Sequence, residues 1–340
     1  MASLKDIKGR IASVGSTLKI TSAMKMVASA KLRKAQQSIG NMLPYERQLH
    51  RILMDLMSTL AERQSGHGRV HPRSAAAEYG LSPAADSAVP AAEYGLSSVA
   101  SLMQVRPVRK VAVVAFSSNS SLCGAFNSNV IRAAQAVIDE YRSAGLAEGD
   151  ITVYSVGRKM QDAMKKAGFV SPVDYTRMAE HPGYDAAAEL AQELLDGFVE
   201  GRFDKIELVY NHFKSTSSQP TTRQTFLPLA LSEGPADLKA GKLPEVFPEE
   251  MPSPRNPEDM IVEPSPSELL EVLMPKVVRL RIYTTLLDSN AAEHAARTVA
   301  MQTATDNAND LLQELTLEYN KGRQQKITAE ILDIVGGSVQ

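Results

Sequence analysis

The segment whose residue types come closest to a ligand site is a polar loop, "SSNSSLCGAFNSN" at residues 117–129. It follows the apolar run 111–116 and leads into a helical pattern, which is where open α/β sheets often hold ligands. The backbone amides of such a loop can receive a phosphate. However, the chain contains neither G-x-G-x-x-G nor G-x-x-x-x-G-K-S/T, and the loop has no acidic residue to hold Mg²⁺. A nucleotide-binding α/β enzyme therefore stays open only as an alternative.

Cys123, the only cysteine, and the pair His67 and His71 are the other candidates for nucleophilic or metal chemistry. Cys123 stands among apolar residues beside Gly124, which favours a packing role over a nucleophile. The two histidines have a metal-like spacing, but they lie in a Gly- and Pro-bearing stretch without a second ligand pair nearby. No G-x-S-x-G motif and no convincing acid–base pair occurs. The sequence therefore predicts no catalytic site of its own, no metal and no cofactor.

Length and composition define the broad class of the protein. The 340 residues are 44% apolar, enough for a sizeable core in about two domains of roughly 150 residues each. A single cysteine excludes an intrachain disulfide and fits a reducing compartment. The longest apolar run, 111–116, is far shorter than the ~20 residues of a membrane helix, so no membrane span is predicted.

The N-terminal segment is strongly basic, although the whole chain has a formal net charge of −2. From Met1 to Lys34 there are eight lysines and arginines against one acid, Asp6. Such a segment is typical of a nucleic-acid arm, a mitochondrial targeting peptide, a surface for an acidic protein partner, or a solvated helix face. Residues 1–44 lack the aromatic side chains that nucleic-acid modules usually add. A basic coiled-coil nucleic-acid-binding protein stays open as a second alternative.

The first sixty residues predict one long helix, because good helix formers dominate and no proline precedes Pro44. Its first apolar stripe has spacings of 4, 3 and 4, which suit the packing seam of a coiled coil. The seam residues are Ile7, Ile11, Val14 and Leu18. A second stripe on nearly the opposite face consists of Ile20, Met24 and Val27, whereas Lys25 falls back into the first stripe. The helix is therefore expected to be apolar on two sides.

The C-terminal part, after "EPSPSELLEVLMP" at 263–275, predicts a second long helix. Small residues recur there at steps of four, forming a ridge that lets another helix approach closely. The ridge consists of Ala292, Ala296, Ala300, Ala304, Ala308 and Leu312. We expect the two terminal helices to pack together through this ridge and the N-terminal seam. Helices of sixty to seventy residues span roughly 90 to 105 Å, so the pair is expected to form a rod.

Between the two long helices the pattern alternates between strands and shorter helices, which implies a parallel or mixed sheet covered by helices. The predicted strands are 108–116, 151–157, 205–213 and 223–231. The predicted helices are 127–145, 158–168 and 185–201. The last strand is expected at an edge of the sheet, because it contains Pro228.

Two segments of different composition flank this α/β pattern. Residues 63–106 are rich in Ala, Ser, Gly and Pro and contain "AAEYGLS" twice, which indicates a locally duplicated insertion that is mostly loop. Residues 233–266 are acidic and hold eight of the eighteen prolines, which indicates an extended connection. These segments divide the chain into an N-terminal coiled-coil helix (1–62), the insertion, the α/β domain (107–232), the connection and a C-terminal coiled-coil helix (267–340).

Three parts of the chain resemble the γ subunit family of F-type ATP synthases. The first is "IASVGSTLKITSAMKMVASAKLRKAQ" at 11–36, and the second is "LCGAFN" at 122–127. The third combines 263–275 with "AAEHAARTVAMQTATDNANDLLQELTLEYNKGRQQKITAEILDIVGG" at 291–337. The segments lie in the family's order and cover the terminal helices nearly completely. Because the likeness begins by about Leu4, the basic segment is expected to belong to the mature helix of a bacterial protein.

The chain departs from the family pattern before Leu-Cys-Gly. Asn119, Ser120 and Ser121 stand where the family usually has an acid, a base and a glycine. No role of that charged pair is therefore carried over to this chain. No paired cysteines occur in the middle domain, so the thiol regulation of the chloroplast members is not carried over either.

The resemblance implies both a fold and a function. The fold is α/β plus coiled coil: a long antiparallel coiled coil of the terminal helices, with a Rossmann-like α/β domain inserted between them. The function is that of a central rotor shaft, which couples proton or sodium flow to ATP synthesis or hydrolysis at the β subunits. The implied partners are the α and β subunits of the catalytic ring, the ε subunit and the membrane c-ring, with no nucleic acid. The implied location is peripheral, on the cytoplasmic side of the bacterial inner membrane.

Five residues match family positions that contact the ring of α and β subunits. Met24 matches a methionine near the β lever, with Lys25 beside it. Arg297 matches the arginine of the family's Ala-Ala-Arg motif. A core position for Met24 and a pairing of Arg297 within the coiled coil stay open as alternatives. Arg323 and Gln324 match an Arg-Gln pair that reaches a β catch loop by hydrogen bonding. An arginine suits that task, because its planar donors can grip a carboxylate at two points.

Overall fold

The computed structural model describes residues 3–64, 102–229, 262–263 and 265–337. Its helices and strands are α1 (Leu4–Gln64), β1 (Val111–Phe116), α2 (Phe126–Ser143), β2 (Ile151–Val156), α3 (Arg158–Lys166), α4 (Thr176–Glu180), α5 (Tyr184–Val199), β3 (Lys205–Asn211), β4 (Thr221–Leu227) and α6 (Pro266–Gly337). Both copies of the duplicated motif, His67 and His71, and most of the 233–266 segment lie outside the described residues. The division into five parts therefore stays a prediction.

The two long helices form an antiparallel hairpin, which confirms the predicted coiled coil. Three pairs define its register: Leu4 with Gly322, Gly15 with Leu312, and Thr21 with Thr305, whose hydroxyl oxygens are 3.0 Å apart. The buried apolar and threonine positions described along α1 all fall on one heptad series: Ile7, Thr21, Ala28, Leu32, Ala35, Leu49, Leu53 and Leu56. The helix continues through Pro44. A sustained 3.5-residue period keeps one face of α1 against α6 over its length.

The second apolar stripe of α1, which consists of Ile20, Met24 and Val27, is not the packing seam. The seam instead continues in register through Thr21 and the half-buried Lys25 to Ala28. Ile20 and Val27 remain exposed on the outside of the hairpin, by 60% and 57%. Two polar residues in the seam hide its course from a hydrophobicity pattern, because that pattern registers only apolar spacing.

The α/β domain contains a mixed four-stranded sheet in the order β2-β1-β3-β4. Strand β1 runs parallel to both β2 and β3, whereas β4 is antiparallel to β3 and lies at the edge, as Pro228 predicts. The predicted strands and helices are confirmed to within a few residues, and the short α4 and a 3-10 helix at Glu148–Asp150 were not expected. Such a sheet with covering helices is the predicted fold class.

Both faces of β1 are buried, and they face different neighbours. Val111, Val113 and Ala115 pack with residues of α2 and α3, such as Val130 and Met160. The alternate residues Ala112, Val114 and Phe116 pack with α5 and with the base of the α1–α6 hairpin. A strand alternates its side chains with a period of two, so one strand joins both layers. The base of the hairpin is therefore part of the domain core.

Helix α6 begins with a well-defined N-terminal cap. Ser265 Oγ accepts a hydrogen bond from the backbone N–H of Glu268 at 3.3 Å, and Pro266 occupies the first helical position. A serine three residues before a glutamate is a capping sequence, and proline is favoured at the first position because its missing N–H is not needed there. The cap therefore sets the point at which the chain enters the hairpin.

Candidate functional site

The polar loop after β1 uses its hydrogen-bonding groups within the domain. Ser118 donates its backbone N–H to Asn127 Oδ1 at 3.1 Å and its hydroxyl to the Ser120 carbonyl at 2.7 Å. Asn119 Oδ1 accepts from the Arg158 N–H at 2.9 Å, and Asn119 Nδ2 donates to the Thr176 carbonyl at 2.7 Å. These bonds tie the loop to the starts of α3 and α4. They leave it organised as a structural corner rather than as a phosphate cradle.

The crevice beside this loop, where open α/β sheets often hold a ligand, is filled by α6. Buried Cys123 and Phe126 pack against Ala292, with Ala296 beside them. A side chain at Gly124, whose φ is +59°, would lie 3.8 Å from the Ala300 Cβ. The packing role expected for Cys123 is thus the one that the structure shows.

The alanine ridge of α6 does not face α1 along its whole length, as the sequence suggests. Its first members, Ala292 and Ala296, face the α/β domain, and only Ala308 and Leu312 lie on the seam with α1. Ala300 and Ala304 are half-buried between these ends. Residues at steps of four advance about 40° per step around an α-helix, so such a ridge changes neighbours along its course. At the base of the hairpin α1 instead contacts Ala291 and Ala295, one position earlier.

Arg297 lies where α6 meets the loop. Its Nη1 donates to Glu293 Oε1 at 2.7 Å, and its Nη2 donates to Ser120 Oγ at 2.8 Å. The side chains of Arg297 and Glu293 are 11% and 10% exposed. The i, i+4 spacing of Glu293 and Arg297 was a signal available in the sequence, whereas the contact with Ser120 joins residues far apart in the chain. Sequence reasoning missed both partners.

Burial and neighbouring charges perturb the titration of this cluster. Burial raises the pKa of Glu293, and the charges of Arg297 and Lys31 oppose that rise. Burial lowers the pKa of His294 to about 4, and the same two cations add to the effect. His294 is therefore neutral at pH 7, and its Nδ1 accepts from Arg297 Nη1 at 3.3 Å. The cluster joins α6 to the loop after β1, and the charge of Lys31 on α1 influences its titration.

A second polar contact lies lower on α6. Asp288 Oδ1 accepts from the backbone N–H of Phe213 at 2.9 Å, and Asp288 Oδ2 is 2.7 Å from His212 Nδ1. Asn290 Nδ2 donates to the Ala179 carbonyl at 3.3 Å. Three segments of the domain, after β1, after β3 and at α4, are therefore bonded to α6.

The other residues expected to contact a partner ring lie along the hairpin, away from this cluster. Met24 and Lys25 are half-buried in α1. Arg323 and Gln324 are exposed on α6, and the Gln324 carbonyl accepts from Thr328 Oγ1 at 2.9 Å. The structure therefore does not bring the five residues together in one site.

The outer surface of the hairpin is partly apolar and partly basic. Its exposed large apolar residues include Ile20, Met26, Val27, Leu311, Leu317, Ile327, Ile331, Leu332 and Ile334. Its exposed cations on α1 include Lys5, Lys8, Arg10, Lys19, Arg33 and Lys34. Because Leu4 contacts Gly322, α6 continues beyond the start of α1, and the last four of those apolar residues lie on this extension. Exposed apolar surface of this extent marks an interaction site.

Over residues 3–64, 102–229 and 265–337, no three His, Cys, Asp or Glu side chains are grouped as a metal ion requires. In the described part of the chain, no helix has both the length and the apolar character to cross a membrane.

Comparison with known proteins identifies the family. A family model described as ATP synthase matches residues 3–339. The chain is 48% identical to the ATP synthase gamma chain of Phocaeicola vulgatus over 339 residues, covering 100% of both chains. It is 45% identical to the ATP synthase gamma chain of Bacteroides thetaiotaomicron over 340 residues, again covering 100% of both.

The fold is also found among solved structures. A chain of the Euglena gracilis mitochondrial ATP synthase, in its OSCP/F1/c-ring structure, is 18% identical with a TM-score of 0.53. The match covers 99% of this chain and 93% of that one. Together with the end-to-end likeness to the bacterial relatives, the matched family model leads to one conclusion. The chain belongs to the ATP synthase gamma chain family.

Proposed function

We propose that this chain is the central rotor shaft of an F-type ATP synthase. It couples ion flow through a membrane ring to ATP synthesis or hydrolysis at the β subunits, and the ion is a proton or sodium. The observation that carries the proposal is the α1–α6 hairpin, whose outer faces expose apolar and basic side chains far from the α/β domain. The chain is a non-catalytic subunit of that complex.

The hairpin supplies the asymmetry that rotary coupling needs. A shaft with different side chains around its circumference presents a different face to each of three chemically identical β subunits. Each β subunit then has its own balance between open and closed forms, because a contact shifts an equilibrium only if it favours one state over the other. Rotation of the shaft permutes these balances. Exposed Ile20 and Val27 on α1 and the cations between them are such side-specific contacts.

Four residues are proposed to contact the ring directly. Met24 lies near the β lever with Lys25 beside it, and the acidic groups of the lever attract the basic α1 helix. Arg323 and Gln324 reach a β catch loop, for which the exposure of both residues is the required condition. The apolar α6 extension, exemplified by Ile334 at 72% exposure, lies within the ring. Arg297 stands apart, because its guanidinium is already bonded within the chain.

The α/β domain is proposed to face away from the catalytic ring. It contacts the ε subunit and the c-ring, which places the chain as a peripheral component on the cytoplasmic side of the bacterial inner membrane. The relative from Euglena gracilis is described as part of an F1/c-ring assembly, which supports this arrangement.

Purification of the tagged full chain from native membranes tests the proposal. We expect α, β, ε and c subunits to co-purify in fixed ratio to the chain, and a probe on the α/β domain to rotate during ATP hydrolysis when the ring is immobilised. Membranes without the tagged chain provide the control. Recovery of the chain without α and β subunits would contradict the proposal. Heat of ATP or NAD binding by the chain alone, or salt-sensitive retention on DNA, would instead support one of the two alternatives.

A further inference from the structure

The contact between Arg297 and Ser120 joins the shaft, which is the α1–α6 hairpin, to the α/β domain at the rim of their interface. Ser120 is an exposed loop residue, yet its hydroxyl accepts from Arg297 Nη2 at 2.8 Å. The opposite nitrogen of the guanidinium is held by Glu293 at 2.7 Å. One planar side chain is therefore fixed from both ends, which defines its direction as well as its position.

We propose that Arg297 and Ser120 form a joint that fixes the angle of the α/β domain on the shaft, so that Arg297 is a positioning residue of the rotor and not a contact of the catalytic ring. The proposal rests on the rotor function proposed above. It assigns a role to the loop position at which this chain departs from its family pattern.

The loop residues beside Ser120 are fixed to the α/β domain. Asn119, next to Ser120, is bonded to the starts of both α3 and α4, so the loop moves only with the domain. Leu122, two residues further along the loop, adopts a φ of +68°, an unfavourable value for a leucine. The bonded Asn119 and the strained Leu122 thus lie on the two sides of Ser120 in the loop.

The apolar contacts nearby do not define an angle by themselves. Ala292 and Ala296 present small side chains to Cys123 and Phe126, and hydrophobic association is non-directional. Smooth surfaces of this kind allow one element to shift on another. The directed hydrogen bonds of Arg297 restrict that movement, and they do so 9 residues along α6 from the Asp288 contact. The domain is thus bonded to α6 both at Arg297 and at Asp288, and two separated attachment points resist rotation of the domain on the helix better than one.

Hydrogen exchange in the assembled complex tests the joint. We expect Ser120→Ala and Arg297→Ala each to raise amide exchange in the 118–124 loop by about tenfold, because each removes the charge-assisted hydrogen bond between Arg297 and Ser120. The double variant should exceed neither single by more than about twofold, because both changes remove the same contact. Arg297→Lys should recover part of the protection. Ser121→Ala, an equally exposed serine beside the contact, is the matched control and should leave exchange unchanged.

A functional measurement separates the joint from a purely structural role. With the ring immobilised and a probe on the α/β domain, Ser120→Ala and Arg297→Ala should widen the angular spread of the probe at each resting position, whereas Ser121→Ala should not. Unchanged exchange and unchanged angular spread in Ser120→Ala would overturn the proposal. So would an effect of Arg297→Ala on exchange in the β subunit alone, since that identifies a ring contact. If the unaltered complex does not rotate, the rotor function itself fails, and the joint's role fails with it.

Discussion

The α/β domain and the outer half of the hairpin differ in how much of their apolar surface the chain itself covers. Every residue of β1 is buried, and Leu190, Leu194 and Phe198 of α5 have no exposed surface. On the hairpin, Leu317 is 72% exposed, although it is as apolar as Leu194. A monomeric soluble protein seldom leaves such residues grouped on one surface. The comparison indicates that the chain itself covers the core that the domain shares with the base of the hairpin, whereas the outer half of the hairpin is completed by partners.

Charged residues show the same difference. In the domain, buried Glu207 accepts from Tyr141 at 2.6 Å, from Arg223 Nε at 2.6 Å and from Lys205 Nζ at 2.7 Å. On the distal hairpin, Lys5, Lys8, Arg10 and Lys19 of α1 are exposed. An exposed charge contributes little to folding but can guide association with a partner of opposite charge. Substitutions in the two regions should therefore separate stability from assembly.

The largest effect is expected from Leu194→Ala. This truncation creates a cavity in the fully buried cluster between the sheet and α5, and should lower the free energy of unfolding by about 3 to 4 kcal/mol. Denaturant titration of the full chain measures it. The matched variant is Leu317→Ala on the hairpin. Equal destabilisation by both variants would break the comparison.

The next effect is expected from Glu207→Gln. The amide cannot pair with both Lys205 and Arg223, but these cations are about one third exposed, so water offsets part of the loss. We expect the free energy of unfolding to fall by about 2 kcal/mol at pH 7. A loss no larger than that of an exposed Glu318→Gln control would show that the network is not stabilising.

The pH dependence of the same variant gives a second test. Burial raises the pKa of Glu207, but the hydrogen bonds from Arg223, Lys205 and Tyr141 outweigh burial and hold the pKa below the usual glutamate value. Its contribution is therefore present above the unfolded pKa, about 4.3, and is lost as the pH falls through the folded pKa. Between pH 5 and pH 3, the unaltered chain should lose more stability than Glu207→Gln. Parallel curves for the two chains would contradict this assignment.

A smaller effect, on coupling and not on folding or assembly, is expected from Arg323→Ala. The residue is exposed, so the folded chain should be unaffected and the complex should assemble. Loss of a charged hydrogen bond to the β subunit, worth about 1.5 to 3 kcal/mol, should weaken coupling between rotation and ATP hydrolysis. The measurement is ATPase activity and torque of the purified complex, with the nearby exposed Lys321→Ala as control. Unchanged ATPase and torque would remove Arg323 from the ring contact.

The smallest effect on folding is expected from Leu317→Ala itself. Because its side chain is mostly in water, truncation should change the free energy of unfolding of the isolated chain by under about 0.5 kcal/mol. The same truncation should weaken association with the α and β subunits, measured as the rate of dissociation of the chain from the complex. A clear loss of folding stability with unaltered dissociation would reverse the interpretation of the hairpin surface.

Much of the α/β domain was predictable because its signals are local. An apolar run such as Val111–Phe116 is a strand in almost any context, and the helix pattern after it ends near Gly145 as expected. The long helices were predictable for the same reason. The short helix Thr176–Glu180 was missed, since five residues are too few to show a period.

The candidate site was less predictable, because its contacts are not local. Arg297 was identified from its family motif, but its partner Ser120 is on a loop that only folding brings close. The seam through Thr21 and Lys25 was hidden by polar residues, although the heptad spacing was present in the sequence. Hydrophobicity alone does not show which polar residues occupy a packing face.

The sequence by itself determined the long helices and the main elements of the domain, because period and composition act over a few turns of chain, and its motifs indicated the family. Tertiary structure alone decided which neighbour each face meets. The alanine ridge illustrates the reason: a step of four residues drifts around the helix, so Ala292 faces the domain and Ala308 faces α1. The same geometry brings Arg297 to Ser120, which is why a residue expected to face a partner is held within its own chain.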